Sequence, residues 1–177
     1  MSKNLIWQGF YDLLITGNKY KEISVRGICQ KLGIHHTSFY YHFQDKQQLF
    51  EYGLDLLLKD YFKITAADRF KSPFTLSDSF YQKSSLINLI EAQKYDIEGT
   101  LLITNCAKER MIHDGKRYLI NNSDKLAVSL EYELIARQLV ETIFVISRWQ
   151  EDKKYQMSEL DHFYLLLVGH LLPCEAN

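Results

Sequence analysis

Turn-forming residues are scarce: the 177 residues hold two prolines, Pro73 and Pro173, and eight scattered glycines. A fold of many short strands joined by tight turns needs more of that punctuation. Long apolar runs are missing too. No stretch approaches the roughly 20 residues that a membrane-spanning helix requires, so no membrane partner is expected. The first twenty residues, MSKNLIWQGFYDLLITGNKY, are broken throughout by polar side chains and lack the apolar centre of a secretory signal. Cys29, Cys106 and Cys174 are odd in number and show no CxxC spacing. They suit reduced thiols in a cytoplasmic protein, with no disulfide framework. An excess of one charge is lacking as well. Lys and Arg number 21 against 22 Asp and Glu, a formal net charge of -1, whereas chains that bind nucleic acid usually carry surplus base. Finally, there is no P-loop, GxSxG, HExxH or paired-carboxylate motif, so neither an enzyme nor a resident cofactor is expected.

What the chain does have is globular composition, 46% apolar and 24% charged, with apolar residues at helical spacing. Ile6, Phe10 and Leu13 fall at i, i+4, i+7. Val25, Ile28, Cys29 and Leu32 fall at i, i+3, i+4, i+7. Leu126, Leu130, Leu134, Leu139, Ile143 and Ile146 mark a long helix. Leu160, Phe163, Tyr164, Leu167, Val168 and Leu171 mark a final one that Pro173 stops. The pattern predicts an all-α fold of about nine helices: near 2–17, 25–32, 36–43, 46–66, 74–92, 96–113, 116–121, 125–151 and 157–172. The segment AADRFKSP reads as a linker, and Gly17, Gly33 and Gly115 sit where helices should end.

Residues 23–50, ISVRGICQKLGIHHTSFYYHFQDKQQLF, carry the most information. Two short helices meet at Gly33 with about three residues between them, which forces the large crossing angle of a helix-turn-helix. Ser24 can cap the first of the pair. On the second, at 100° per residue, Phe39 and Phe43 define a buried face. Thr37, Ser38 and Tyr41 then point the opposite way, with His36 and Tyr40 on one flank and His42 on the other. Such a face can donate hydrogen bonds to phosphates and reach base edges. Next, DKQQ makes a capping box of Asp45 and Gln48, and Lys46 sits in the first turn, where a helix dipole favours anions over cations. A phosphate there would suit the lysine.

This stretch resembles the DNA-binding signature of TetR-family transcriptional regulators. Ser24, Ile28, Gly33, Ile34, Phe39, Tyr40, Tyr41, His42, Phe43, Lys46 and Leu49 stand at matching positions. The resemblance divides the chain into an N-terminal helix-turn-helix DNA-binding domain, 1–50, and a C-terminal helical regulatory and dimerisation domain, 51–177. It implies that Ser24, Tyr40, His42 and Lys46 hold phosphates, that His36, Thr37, Ser38 and Tyr41 approach base edges in the major groove, and that Arg26 adds a further contact. His35 departs from the family, which usually has Ser or Thr at that N-cap. Thr37 departs too, where the family often has Gly or Ala. His35 is then either a weak cap or itself a DNA contact.

The resemblance also implies a homodimer through the helices near 125–151 and 157–172, a palindromic operator, and a small-molecule effector that releases a repressor. Tyr61, Phe80, Tyr81, Leu102, Cys106 and His113 are the candidate effector-lining residues. Residues 148–160, RWQEDKKYQMSEL, resemble a narrower branch that includes activators of dihydroxyacetone kinase operons, with Ser158 as the cap of the last helix. Two other classes compete with this reading. A metal enzyme would need His35, His36 and His42 to converge, but adjacent residues on a helix point about 100° apart and no Cys or carboxylate completes the set. A co-regulator acting through a protein partner is compatible with the departures at His35 and Thr37. Charge separates the two parts: residues 1–50 hold six Lys and Arg against three Asp and Glu, and the remainder fifteen against nineteen. The near-neutral total thus joins a mildly basic N-terminal part to an acidic body, and a shallow salt dependence of DNA binding is expected.

Overall fold

Three of the first four helices begin on a side chain that accepts a backbone N–H. The Ser2 hydroxyl accepts from Leu5 at 3.4 Å, that of Ser24 from Gly27 at 3.1 Å, and the Asp45 carboxylate from Gln48 at 2.7 Å. These open α1 (Lys3–Ile15), α2 (Val25–Leu32) and α4 (Lys46–Leu58); α3 (His36–Tyr40) lies between. The computed structural model describes residues 2–174, and among them the fold is all-α. The remaining helices are α5 (Ala66–Lys71), α6 (Pro73–Tyr81), α7 (Leu86–Gln93), α8 (Ile97–Asn121), α9 (Tyr132–Trp149) and α10 (Met157–Val168), with short 3-10 turns between some of them. No helix is long and apolar enough to cross a membrane among the described residues.

Two compact units divide the chain, one of residues up to Lys59 with Ser84–Cys106, the other of Asp60–Lys83 with residues from Ala107 on. In the first, α1 packs against α2, α4 and α7. Its core holds Ile6, Phe10, Leu14, Ile28, Phe39, Leu49, Phe50 and Leu89, none with any exposed surface. The rings of Phe10, Tyr20 and Phe50 lie 5.0–6.2 Å apart. Gly53 is required by close approach, because a Cβ there would stand 2.1 Å from the Trp7 ring. Gly33 ends α2 in the left-handed region at φ 63°, which only glycine adopts at no steric cost. In the second unit α10 packs against α6 and α9. Its core gathers Phe70, Phe74, Leu119, Leu139, Val140, Leu160 and Tyr164.

Several boundaries differ from the expected ones. The helix expected over 46–66 stops at Leu58 and is followed by a 3-10 turn at Tyr61–Lys63. The expected linker is largely helical as α5, because the Thr65 hydroxyl accepts the Asp68 N–H at 3.1 Å and nucleates a turn. The helix expected over 74–92 is two, α6 and α7. The pair expected over 96–113 and 116–121 is one, α8, so Gly115 is not a terminator. Gly115 is buried under Phe70, whose Cζ would lie 2.9 Å from any Cβ at that position. Glycine there serves packing, and the helix continues through it. The long helix expected from 125 starts only at Tyr132, after a 3-10 turn at Ser123–Lys125. Ser158 is not the cap of the last helix. The N-cap is Gln156, whose backbone N–H donates to the Glu159 carboxylate at 2.8 Å.

Candidate nucleic-acid interface

The short helix α3 is anchored by its apolar side. Phe39 on α3 and Phe43 just after it, whose N–H still donates to the Phe39 carbonyl at 3.0 Å, are buried with ring centroids 5.9 Å apart. Because two rings four residues apart are fixed inward, the opposite positions must face out. Tyr41 is 85% exposed and Tyr40 55%, far above what a tyrosine core would show. Thr37, Ser38, Tyr41 and His42 together line an open depression of ≈ 350 Å³. Among the described residues no carboxylate lines it, and its hydroxyls and imidazole can both donate and accept. The Tyr41 and His42 rings meet edge-on at 5.0 Å, and Tyr40 stands edge-on to Phe39 at 5.4 Å.

Ser24 is exposed, and since its oxygen accepts the Gly27 N–H, its own O–H remains to donate outward. Arg26 is exposed in the first turn of α2. His36 is exposed on α3, and His35 precedes it as N-cap without a side-chain hydrogen bond. The Asp45–Gln48 pair forms with a shift of one residue: Gln48 Oε1 accepts from the backbone of Gln44 at 2.7 Å instead of from Asp45.

Lys46 is held in a way its sequence position does not reveal. Its Nζ donates to the Tyr20 carbonyl at 2.7 Å and lies 3.9 Å from the centre of the Tyr20 ring. Burial lowers the ammonium's pKa from its ordinary value, against the pull of Glu98 and Asp96. Burial likewise pushes the Tyr20 phenol up to about 12, helped by Glu98. Tyr20 is fixed in turn by Gln93, whose Oε1 accepts the Tyr20 N–H at 2.9 Å while its Nε2 donates to the carbonyls of Leu14 and Asn18 at 2.8 and 2.9 Å. Gln93 has no exposed surface. Nothing in the local pattern around residue 93 distinguishes it from a solvated helical glutamine.

The six candidate effector residues fall on both units. In the second, Tyr61 is buried and packs on Phe80 at 5.3 Å, and Phe80 on Tyr81 at 5.7 Å. Burial pushes the Tyr61 phenol up to about 12. His113 is exposed and does not join this group, while Leu102 and Cys106 are half-buried members of the first unit. Tyr164, which sequence reading placed only in an apolar stripe, is fully buried and its hydroxyl has no hydrogen-bond partner.

Residues 15–52 match the family model of bacterial regulatory proteins, tetR family. The N-terminal helices are therefore a TetR-type helix-turn-helix domain, with a helical C-terminal part beyond it. Among solved structures, a Clostridium perfringens protein assigned as a fatty acid metabolism regulator aligns over 95% of this chain and 98% of its own, at TM-score 0.54 and 15% identity. The structure of apo AibR aligns over 97% and 99% at TM-score 0.43 and 16% identity. A regulatory protein TetR from Rhodobacter sphaeroides aligns over 96% and 98% at 0.40 and 12%. No curated protein sequence matches the chain. The likeness stands at the level of the fold and the helix-turn-helix; the narrower branch rests on residues 148–160 alone, where Ser158 has lost its expected role.

Proposed function

We propose that the protein is a cytoplasmic transcriptional regulator, a repressor that binds a palindromic operator as a homodimer and is released by a small molecule. The observation that carries the DNA reading is the outward face of α3 and the turn that follows it, where Thr37, Ser38, Tyr41 and His42 form a depression without an acidic residue among the described ones. Tyr41 and His36 are the side chains best exposed to reach base edges, with Thr37 and Ser38 beside them. Ser24, Arg26, His35, Tyr40, His42 and Lys46 would hold the phosphates that set its register. Selection of bound sequences from random DNA tests this directly: a two-fold symmetric site is expected, with half-sites about one helical turn apart or more. Enrichment only when a partner protein is added would favour the co-regulator.

Tyr41→Ala is expected to leave the fold intact, because the ring is almost fully exposed. It should relax base preference at one position of each half-site by about 1–3 kcal/mol. Unchanged preference in the selected sequences would remove Tyr41 from the reading set. Lys46→Met should do two things. Removing the donor to Tyr20 and the cation over its ring costs about 1–2 kcal/mol of stability, seen by urea denaturation. Losing a phosphate contact lowers the slope of log K against log salt by about one. A destabilised protein with an unchanged slope would make Lys46 purely a fold residue.

Dimerisation is supported by apolar side chains left in solvent. Leu134 and Val145 on α9 are 58% and 54% exposed, and lie eleven residues apart on one helix face. Leu166 and Leu167 on α10 are 69% and 59% exposed. A monomer gains nothing from them, whereas a two-fold helix bundle buries each twice. Effector release requires a ligand that favours a conformation in which the two recognition helices no longer fit the operator. Buried Tyr61, packed on Phe80, and buried Tyr164 are the polar handles available to it in the C-terminal unit.

A further inference from the structure

In the C-terminal unit a solvent-facing depression of ≈ 300 Å³ lies between residues 62–69 and the last turns of α8. Its deepest charge is Arg69, which is 1% exposed. Arg69 Nε donates to the Ile64 carbonyl at 3.1 Å and Nη2 to the Asp114 carboxylate at 2.6 Å, with the guanidinium 4.6 Å from the Phe62 ring. The remaining nitrogen, Nη1, has no hydrogen-bond partner. A guanidinium carries five donors, and leaving buried ones unmatched is costly, so the site calls for an acceptor. Arg117, exposed on the rim of the same depression, brings a second guanidinium.

We propose that this depression binds a small monocarboxylate with a short apolar tail. A carboxylate offers two acceptors, one for the single donor nitrogen that Arg69 has left and one for the exposed Arg117 guanidinium. Phe62, Ile64 and Tyr118 supply apolar wall for a tail. The volume is at the small end for ligand pockets, which limits the tail to a few carbons. Asp114 decides the charge. It lines the depression with its carboxylate on Arg69, so a doubly charged phosphate would meet a fixed negative group. Lys63 adds little, being paired with Asp60 at 2.7 Å.

The test is calorimetric titration of the full chain with hexanoate, hexanol and inorganic phosphate. Saturable binding of hexanoate is expected, with hexanol and phosphate each at least tenfold weaker. Arg117→Ala, at an exposed position that the fold does not need, should weaken hexanoate roughly tenfold to hundredfold, and Arg117→Lys should recover part of the loss by restoring charge without the fork. No saturable hexanoate binding, equal binding by Arg117→Ala, or tighter binding of hexanol or phosphate would each overturn the proposal. The titration contains no DNA, so its outcome is separate from that of the regulator reading.

Discussion

Gln93→Leu should destabilise the N-terminal unit by about 3–6 kcal/mol, although leucine nearly matches glutamine in volume. The side chain satisfies three backbone groups at once: the buried Tyr20 N–H and Leu14 carbonyl, and the part-buried carbonyl of Asn18. Leu14 O is among the last carbonyls of α1, which have no partner within their own helix. Each buried group left unpaired costs about 1–3 kcal/mol. Against a typical domain stability of about 5–15 kcal/mol, the sum brings the unit close to its threshold. Gln93→Glu separates polarity from shape. It keeps an acceptor for Tyr20 but turns a buried carboxylate toward two carbonyls, so it should be at least as damaging. Urea denaturation measures both, and a loss below about 1 kcal/mol in Gln93→Leu would show that the three bonds contribute nothing net. The effect reaches function through Tyr20. That residue's carbonyl and ring hold Lys46, so loosening Gln93 releases the lysine at the head of α4.

The parts of this arrangement that sequence revealed are those written in short-range periodicity. Phe39 and Phe43, four residues apart, determine which way Tyr41 faces, and simple rotation along a helix is enough to see it. Ser24 and Asp45 were legible as caps because their partners, Gly27 and Gln48, are three residues away. Lys46 was half legible: its place in the first turn is local, but its acceptor, Tyr20, is 26 residues distant. Gln93 was invisible for the same reason, its partners lying 73 to 79 residues away. Gly115 misled because glycine ends a helix and admits a neighbouring ring by the same means, the missing Cβ. Ser158 misled because serine is ordinarily a better cap than glutamine. Here Gln156 precedes a glutamate three residues on, and the reciprocal bond to Glu159 sets the helix start two residues earlier than Ser158 would. The Arg69 depression draws residues 62–69 together with 114–121, a pairing no spacing rule encodes.

Leu166→Glu is expected to leave the chain monomeric and to lower operator affinity by about a thousandfold or more. Leu166 is 69% exposed, so the substitution removes little from the monomer, and surface changes of that kind usually stay within about 0.5 kcal/mol of stability. In a two-fold bundle the same change acts twice. Each copy forfeits the burial of a leucine, about 1.5–3 kcal/mol, and each places a carboxylate where its symmetry mate brings another. Uncompensated burial of two like charges then adds several kcal/mol more. A monomer reads one half-site with one α3, so its affinity drops toward the non-specific level, typically three or more orders of magnitude weaker than specific binding. Val145→Glu on α9 should give the same result if both helices contribute to one interface, and Leu134→Glu should follow Val145→Glu because the two share a face. Light scattering with size exclusion reads the oligomeric state, and a mobility shift with the selected operator reads the affinity. A persistent dimer in both Leu166→Glu and Val145→Glu would place the interface elsewhere. A monomer that still bound the full palindrome with unchanged affinity would break the link between dimerisation and recognition, and with it the proposed route by which an effector could act on DNA.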